Sequence, residues 1–451
     1  MQQKTELSQY EKMTQTPVSR LVMRLSVPTI ISMMVTNVYN LADTAFVGQL
    51  GNSASGAVGV VFGFMAILQA IGFMFGQGSG NLLSRKLGQQ DADAATRIAS
   101  TGFFLSLFSG ALLSVLCMIF LYQLVYVLGS TTTIAPYART YIHYILLAAP
   151  FMVASFTMNN ILRYEGLASL GMIGLMAGGI LNICGDPFFM FVLGFGIAGA
   201  GISTALSQFI SFLILLSMFL RRKTQSRLQI SKVSLKPSLF SDIALTGLPS
   251  LLRQGLNSLA AVILNLEAAV YGDEAVAAMS IVARIVFFVF SIAIGTGQGF
   301  QPVSAFNYGA GKYSRVRKGF KFTLLYSEFL VLILTVCVLF NARPLIHLFR
   351  DDINVSGIAV RALCLQCLAQ LVMPVCMVTE MLLQSTGHKL TSSLLSSMRS
   401  GFFFIPLVVI LAHLRGLAGI QEAQPIAFLL TCLPALIFLR SAFSQMPAED
   451  S

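Results

Sequence analysis

Unbroken apolar runs recur along the whole chain, and each reaches the ~20 residues that a helix needs to cross a bilayer. A chain patterned this way cannot fold in water. Only 10% of its 451 residues are charged, 56% are apolar, and 37 glycines come on top. Soluble domains carry roughly 25% charged residues, and the mean hydropathy here is +0.78. These values exclude a soluble enzyme, a nucleic-acid binder and a disordered scaffold. The fold class they imply is an all-α polytopic membrane protein.

Polar and glycine-rich breaks divide the runs into twelve expected transmembrane helices. They fall at 22–47, 55–83, 98–120, 140–162, 169–193, 197–220, 243–270, 276–304, 318–340, 357–385, 391–413 and 419–440. With twelve spans both termini lie on one side, and the net charge of +11 says which. Most Lys and Arg sit in the N-terminal tail and in the loops after even-numbered spans. Arg221, Arg222, Lys223, Arg227, Lys232 and Lys236 fill one such loop; Lys312, Arg315, Arg317, Lys318 and Lys321 fill another. Basic loops stay in the cytoplasm, so both termini are expected there, in a plasma (inner) membrane, and the charge calls for no nucleic-acid partner. The 7 cysteines lie mostly in apolar runs. Cys364 and Cys367 are one helical turn apart without further ligands and read as small apolar fillers. The first span is too long for the core of a cleavable signal.

The longest basic break divides the chain into two halves that superpose at a shift near 221 residues. Leu25-Ser26-Val27-Pro28 meets Thr246-Gly247-Leu248-Pro249, and Gly76-Gln77-Gly78 meets Gly297-Gln298-Gly299. With slight slippage Gly196-Ile197-Ala198-Gly199 meets Gly416-Leu417-Ala418-Gly419, and Pro187 meets Pro406. The expected organisation is a tail (1–20), a six-helix lobe (21–220), a basic linker (221–240), a second six-helix lobe (241–440) and a tail (441–451). Six helices per repeat give the halves one orientation, hence a pseudo-two-fold along the membrane normal, as in transporters.

Ionisable residues within spans cost about 2.5–3.5 kcal/mol each on insertion scales, which makes them functional candidates. Asp43 follows Asn37 and Asn40 at steps of three, on one helical stripe, with Tyr39 one turn away. Asp186 follows Asn182 by four residues on the fifth span, and Thr204 adds an oxygen, with Ser203 and Ser207, on the sixth. Each acid has a plainer reading. Asp43 could lie at the outer headgroups, ahead of Gly48 and Gly51; Asp186 could cap a helix begun by Pro187, which inside an apolar run means a broken or bent helix lining a cavity. In the second half, Leu264 and Ile405 stand where the first has Asp43 and Asp186, so the ion chemistry is expected in one lobe. That half carries Glu267, Glu328 and Glu380, and three arginines read as buried, Arg253, Arg284 and Arg399, which could equally form structural salt bridges. Glu267, with Asn37, Asn159 and Gln298, is a candidate for a substrate cavity, and abundant Met and Phe suit one that accepts varied ligands.

No pair of the four histidines has metal-ligand spacing, so no metal site of that kind is expected. There is no GxxxxGK[ST] loop and no sign of ATP as energy source. No cofactor is expected.

At these residues the chain resembles the multidrug and toxic compound extrusion (MATE) family, prokaryotic DNA-damage-inducible branch, from about residue 20 to about residue 440. The most specific pieces are Asp43-Thr44-Ala45-Phe46-Val47-Gly48, Asn182 through Asp186-Pro187, Gly196 to Gln208, and Gln298-Gly299-Phe300-Gln301-Pro302 running to Asn307-Tyr308-Gly309-Ala310. Arg163-Tyr164-Glu165-Gly166 also fits. The resemblance implies a V-shaped pair of six-helix lobes and efflux of cationic, amphipathic drugs or dyes by alternating access, in exchange for protons or sodium, with the protein acting as a monomer. It also implies a first-lobe cation site at Asp43, Asn182, Asp186 and Thr204, with Tyr39, Asn40 and Tyr141 as neighbours. Gln421 and Phe428 stand where the family often has Trp and Asp, so no role of that Asp carries over. A lipid-linked precursor flippase of the same superfamily would call for a more cationic cavity. A polytopic membrane enzyme would need a catalytic cluster at an interface, and none is evident.

Overall fold

The computed structural model describes residues 8–349, 352–447 and 450, and among them the chain is helical, without strands. The first half runs α1 (Gln9–Gln15), α2 (Val18–Gly48), α3 (Asn52–Gly88), α4 (Ala92–Ile119), α5 (Leu121–Val127), α6 (Ala135–Tyr164), α7 (Ala168–Pro187) and α8 (Gly196–Leu220). The second runs α9 (Pro237–Ala269), α10 (Asp273–Gly309), α11 (Tyr313–Phe340), α12 (Ala342–Phe349), α13 (Ile353–Gln370), α14 (Met373–Thr386), α15 (Lys389–Ser397), α16 (Phe404–Arg415) and α17 (Leu417–Gln445). Two π-helical turns interrupt this pattern: Phe188–Val192 prolongs α7, and Met398–Phe403 joins α15 to α16.

Among the described residues 11 segments are long and apolar enough to span a membrane. The remaining expected span is α9. Its 33 residues suffice for length, but Asp242, Arg253, Asn257, Asn265 and Glu267 dilute its apolar character. The expected span 357–385 is α13 and α14, parted at Leu371 and Val372 ahead of Pro374, whose ring lacks an amide hydrogen and suits a helix start. Short α1, α5 and α12 lie between or before the spans. A reciprocal capping box starts α1: Glu11 N donates to Ser8 Oγ at 3.2 Å, and Ser8 N to Glu11 Oε2 at 2.7 Å.

Two compact units emerge, Ile31–Leu251 and Met1–Ile30 with Leu252–Ser451. The divisions fall inside α2 and α9, just beyond Pro28 and Pro249. Each half's first helix thus gives its opening turns to the unit built mainly by the other half. Repeat-related glycines admit those turns. A methyl on Gly78 would overlap the carbonyl oxygen of Ile243 on α9; a methyl on Gly299 would overlap Ser26 on α2. The segments that match at the 221 shift therefore approach each other in both units, Gly78 against the Gly247 amide and Gly299 against Ser26, the counterpart of Gly247.

Lipid tails are as apolar as leucine, so close packing rather than exclusion from water holds such helices together, and small residues are what permit it. Gly72, Gly76 and Gly80 form a row on α3 against Phe156, Asn160 and Tyr164 of α6. Around that seam Val61, Leu68, Ile145, Leu146 and Val153 are fully or almost fully buried. In the other unit Val282, Ala359, Leu363, Cys367 and Ala423 form the corresponding core, so Cys367 is indeed an apolar filler. On α4, Phe108, Leu112, Val115 and Ile119 repeat at steps of three or four, all exposed. An apolar stripe of that length on a surface marks contact with lipid.

Candidate cation site in the unit Ile31–Leu251

Four helices converge on two carboxyl groups. The first carboxyl, Asp43, sits near the C-terminal end of α2; the second, Asp186, sits at the end of α7, one residue before Pro187 and the π turn. Both are buried among their neighbouring helices, at 8% and 0% exposure. They are close enough to share a hydrogen bond with each other. Tyr141 of α6, wholly buried, donates its hydroxyl to Asp43 Oδ2 at 3.2 Å. Asn182 Nδ2, one turn before Asp186, reaches Asp186 Oδ1 at 3.0 Å and Thr204 Oγ1 at 3.2 Å. Ser203 Oγ donates to the Asn182 carbonyl at 3.3 Å and so fixes α8 against α7 here. Tyr39 is buried, one turn before Asp43, within reach of Gln208.

The chain runs on through Asp186-Pro187 as a widened turn, not a new helix start. Phe188 to Val192 take i→i+5 geometry, which leaves Asp186 facing side chains rather than capping amides. The expected break is thus a π turn. Such turns are frequent at functional sites because they re-aim the residues beside them.

Asp43 Oδ1 and Asp186 Oδ2 accept from no donor of the protein. Buried carboxyl oxygens left this way are costly unless a proton or cation meets them. Around them the site offers neutral oxygens from Asn182, Thr204 and Tyr141, a donor set suited to a hard monovalent cation or a shared proton. Among the described residues no group of three or more His, Cys, Asp or Glu could hold a metal ion.

The other candidates are spread over four helices. Asn37 and Asn40 are half-buried on α2, with Asn40 one turn before Asp43. Asn159 packs where α6 meets Gly171, eleven residues before Asn182 on α7 and so about 16 Å along the axis. Glu267, half-buried on α9, and Gln298, buried on α10, belong to the other unit. There Leu264 and Ile405 stand at the positions related to the two acids and pack into hydrocarbon. Arg253 and Glu380 form a buried ion pair at 2.6 Å. Glu328 is half-buried on α11. Arg284, read as buried from the sequence, is exposed on the α10 face that also carries Ala283 and Phe287. The sequence reading passed over Gln208 as a neighbour of Tyr39; its signal was its place on the α8 stripe with Thr204.

The family model MatE matches residues 28–188 and again 249–410, beginning at Pro28 and at Pro249. The chain belongs to the MATE family. The repeat is thus the family's own unit, present twice. MATE relatives span it end to end. It is 26% identical to the multidrug export protein MepA of Staphylococcus saprophyticus over 93% of this chain and 92% of that one. With MepA of Staphylococcus aureus the identity is 26% over 99% and 98%. Among solved structures, an outward-facing multidrug resistance MATE transporter of the MOP superfamily matches with a TM-score of 0.92 at 25% identity, covering 98% of this chain and 99% of that one. A MOP superfamily transporter from Pyrococcus furiosus, described as having a binding pocket of reverse polarity, matches equally, with the same score, identity and coverage. A chain of this family is a multi-pass membrane transporter and not an enzyme.

Proposed function

We propose that this MATE protein is a secondary active efflux transporter that exports cationic, amphipathic drugs in exchange for protons or sodium. The observation that carries the reading is the buried contact of Asp43 with Asp186, each with an oxygen that no protein donor meets. Two carboxyl groups in contact cannot both be ionised cheaply in a poorly hydrated site. One proton or one sodium ion between them relieves the repulsion.

Coupling follows from that exchange. A bound ion fixes α2, α6, α7 and α8 around the pair, through Asp43–Tyr141 and Asp186–Asn182–Thr204. Loss of the ion leaves negative charge that must be met by another cation, and an amphipathic drug cation is the natural competitor. Alternating access uses this only if ion and drug favour different states, since a ligand shifts an equilibrium by its differential affinity and no more. Expelling a monovalent cation against 100 mV costs about 2.3 kcal/mol, and returning one proton or sodium supplies the same amount. One-for-one exchange is electrically neutral; two ions per drug would draw on the potential.

The basic loops support a plasma (inner) membrane location with both termini in the cytoplasm. On this reading the protein works as a monomer in the bilayer, with small cationic compounds as cargo and without ATP or nucleic acid; sodium, where used, is a coupling ion rather than a cofactor. Dye efflux from proteoliposomes under separately imposed pH and sodium gradients tests the proposal. At least one of the two gradients alone should start export, while ATP with collapsed gradients should not.

A further inference from the structure

The unit Met1–Ile30 with Leu252–Ser451 carries a second, differently charged site, open on the side of Asn257, Ala283 and Phe287. A cavity of about 140 Å³ opens beside Arg399, lined on its polar side by Asn257, Gln366, Gln370, Ser400 and Gln424. Arg399 is 3% exposed and sits at the start of the π turn Met398–Phe403, which swings it off the regular helix stripe. Its Nη1 meets only the thioether of Met377, a weak acceptor, and its guanidinium lies 5.2 Å from the Phe290 ring centre. Nη2 has no hydrogen-bond partner at all.

A guanidinium does not lose its proton in proteins, so this charge stays. Buried charges are normally paired, because burying one without an anion is costly. The neighbouring carboxylate, Glu380, is committed to Arg253 at 2.6 Å, leaving two cations to one anion. Among the described residues no acid lines the cavity. Phe290, Phe404 and Phe428 supply aromatic wall instead. The volume is close to the ~150 Å³ of a cavity known to take up benzene. One uncompensated positive charge, one free N–H edge, amide donors and a ring-sized apolar space together define a ligand chemistry.

We propose that this cavity is a ligand site for the carboxylate end of an aromatic compound, with Arg399 as its anchor. The proposal deepens the efflux reading and rests on it only for the bound compound being cargo; the binding itself does not. A single excess positive charge matches a monoanion, whereas a diphosphate would leave negative charge unbalanced.

The test is binding to the full chain in phosphatidylcholine nanodiscs, which carry no anionic lipid. The probes are a rhodamine with a free carboxylate and the methyl ester of the same dye. Wild type should bind the acid about tenfold more tightly than the ester, the value of one extra charge-assisted contact. Benzoate should displace the acid, and inorganic pyrophosphate should not. Arg399→Gln should bring the acid down to the affinity of the ester while leaving the ester unchanged; Arg399→Lys should keep part of the preference. Equal binding of acid and ester by wild type overturns the proposal whatever the variants do. So does displacement by pyrophosphate but not by benzoate. Gradient-driven export of the ester without any acid preference would leave the efflux reading standing alone; acid preference without export of either dye would do the reverse.

Discussion

Tyr141 holds Asp43 from across the bundle: its hydroxyl, wholly buried on α6, lies 3.2 Å from Asp43 Oδ2 on α2. The contact leaves Asp43 Oδ1 without a donor, which on the proposed reading is where the ion is met. Tyr141→Phe keeps the ring and its packing but removes this donor, worth about 1.5–3 kcal/mol when the acceptor is charged. The variant should stay folded in detergent, and its export should need a different pH or sodium concentration for half-maximal rate. An unchanged ion dependence would mean that Tyr141 only fills space.

The ion pair Arg253–Glu380 predicts a large and lopsided stability effect. Both side chains are almost fully buried, at 4% and 2% exposure. Glu380→Gln leaves Arg253 without its counter-charge and should destabilise by about 3–5 kcal/mol. Replacing both by Met should restore most of the loss. Unfolding in detergent measures it, and a Glu380→Gln protein as stable as wild type would contradict the pairing.

Glu165, in the loop after α6, is wholly buried and accepts from Gln225 N at 2.8 Å, Ser226 N at 3.0 Å and the Ser226 hydroxyl. It thereby ties down the segment that follows α8. Burial pushes its carboxyl from 4.5 up to about 7, against the pull of those three hydrogen bonds. The folded chain therefore holds this proton to higher pH than the unfolded chain does. Its contribution to stability is greatest below 4.5, falls as pH rises from 4.5 to about 7, and is level above that. The change is on the order of 3 kcal/mol. Glu165→Gln should remove this slope from a stability–pH profile; an identical slope would assign it to other groups.

Close approach at Gly78 and Gly299 predicts that Ala is poorly tolerated at both. In each case a methyl would meet backbone that cannot swing aside, Ile243 O or the Ser26 main chain. Overpacking of this kind costs about 1–3 kcal/mol. Gly59, with nothing within 4 Å, is the matched control, and Gly59→Ala should be neutral. Comparable melting temperatures for all three variants would refute the shared contact.

Much of this was legible because lipid imposes a simple code. Long apolar runs gave the spans, and ionisable residues inside them pointed to Asp43 and Asp186, which no lipid-facing position would tolerate. The signal faded where segments were short or mixed. The helices α1, α5 and α12 are too short to register as spans, and the gap between α13 and α14 occupies only Leu371 and Val372. A π turn has no sequence signature apart from its neighbours, so Asp186-Pro187 reads as a cap until the backbone is seen. Arginine burial is a tertiary property. Arg284 and Arg399 both lie in apolar stretches, yet the first is exposed and the second is enclosed beside the cavity of α9, α10 and the Met398–Phe403 turn.

The central claim is that Asp43 and Asp186 form one coupling site. Export of a cationic dye from proteoliposomes, driven by a pH jump and separately by a sodium jump, measures it most directly when wild type, Asp43→Asn and Asp186→Asn are compared at equal insertion. Wild type should export under at least one gradient, and each variant should lose gradient-driven export while remaining folded. Normal export by both variants under the gradient that drives wild type would place the coupling site elsewhere.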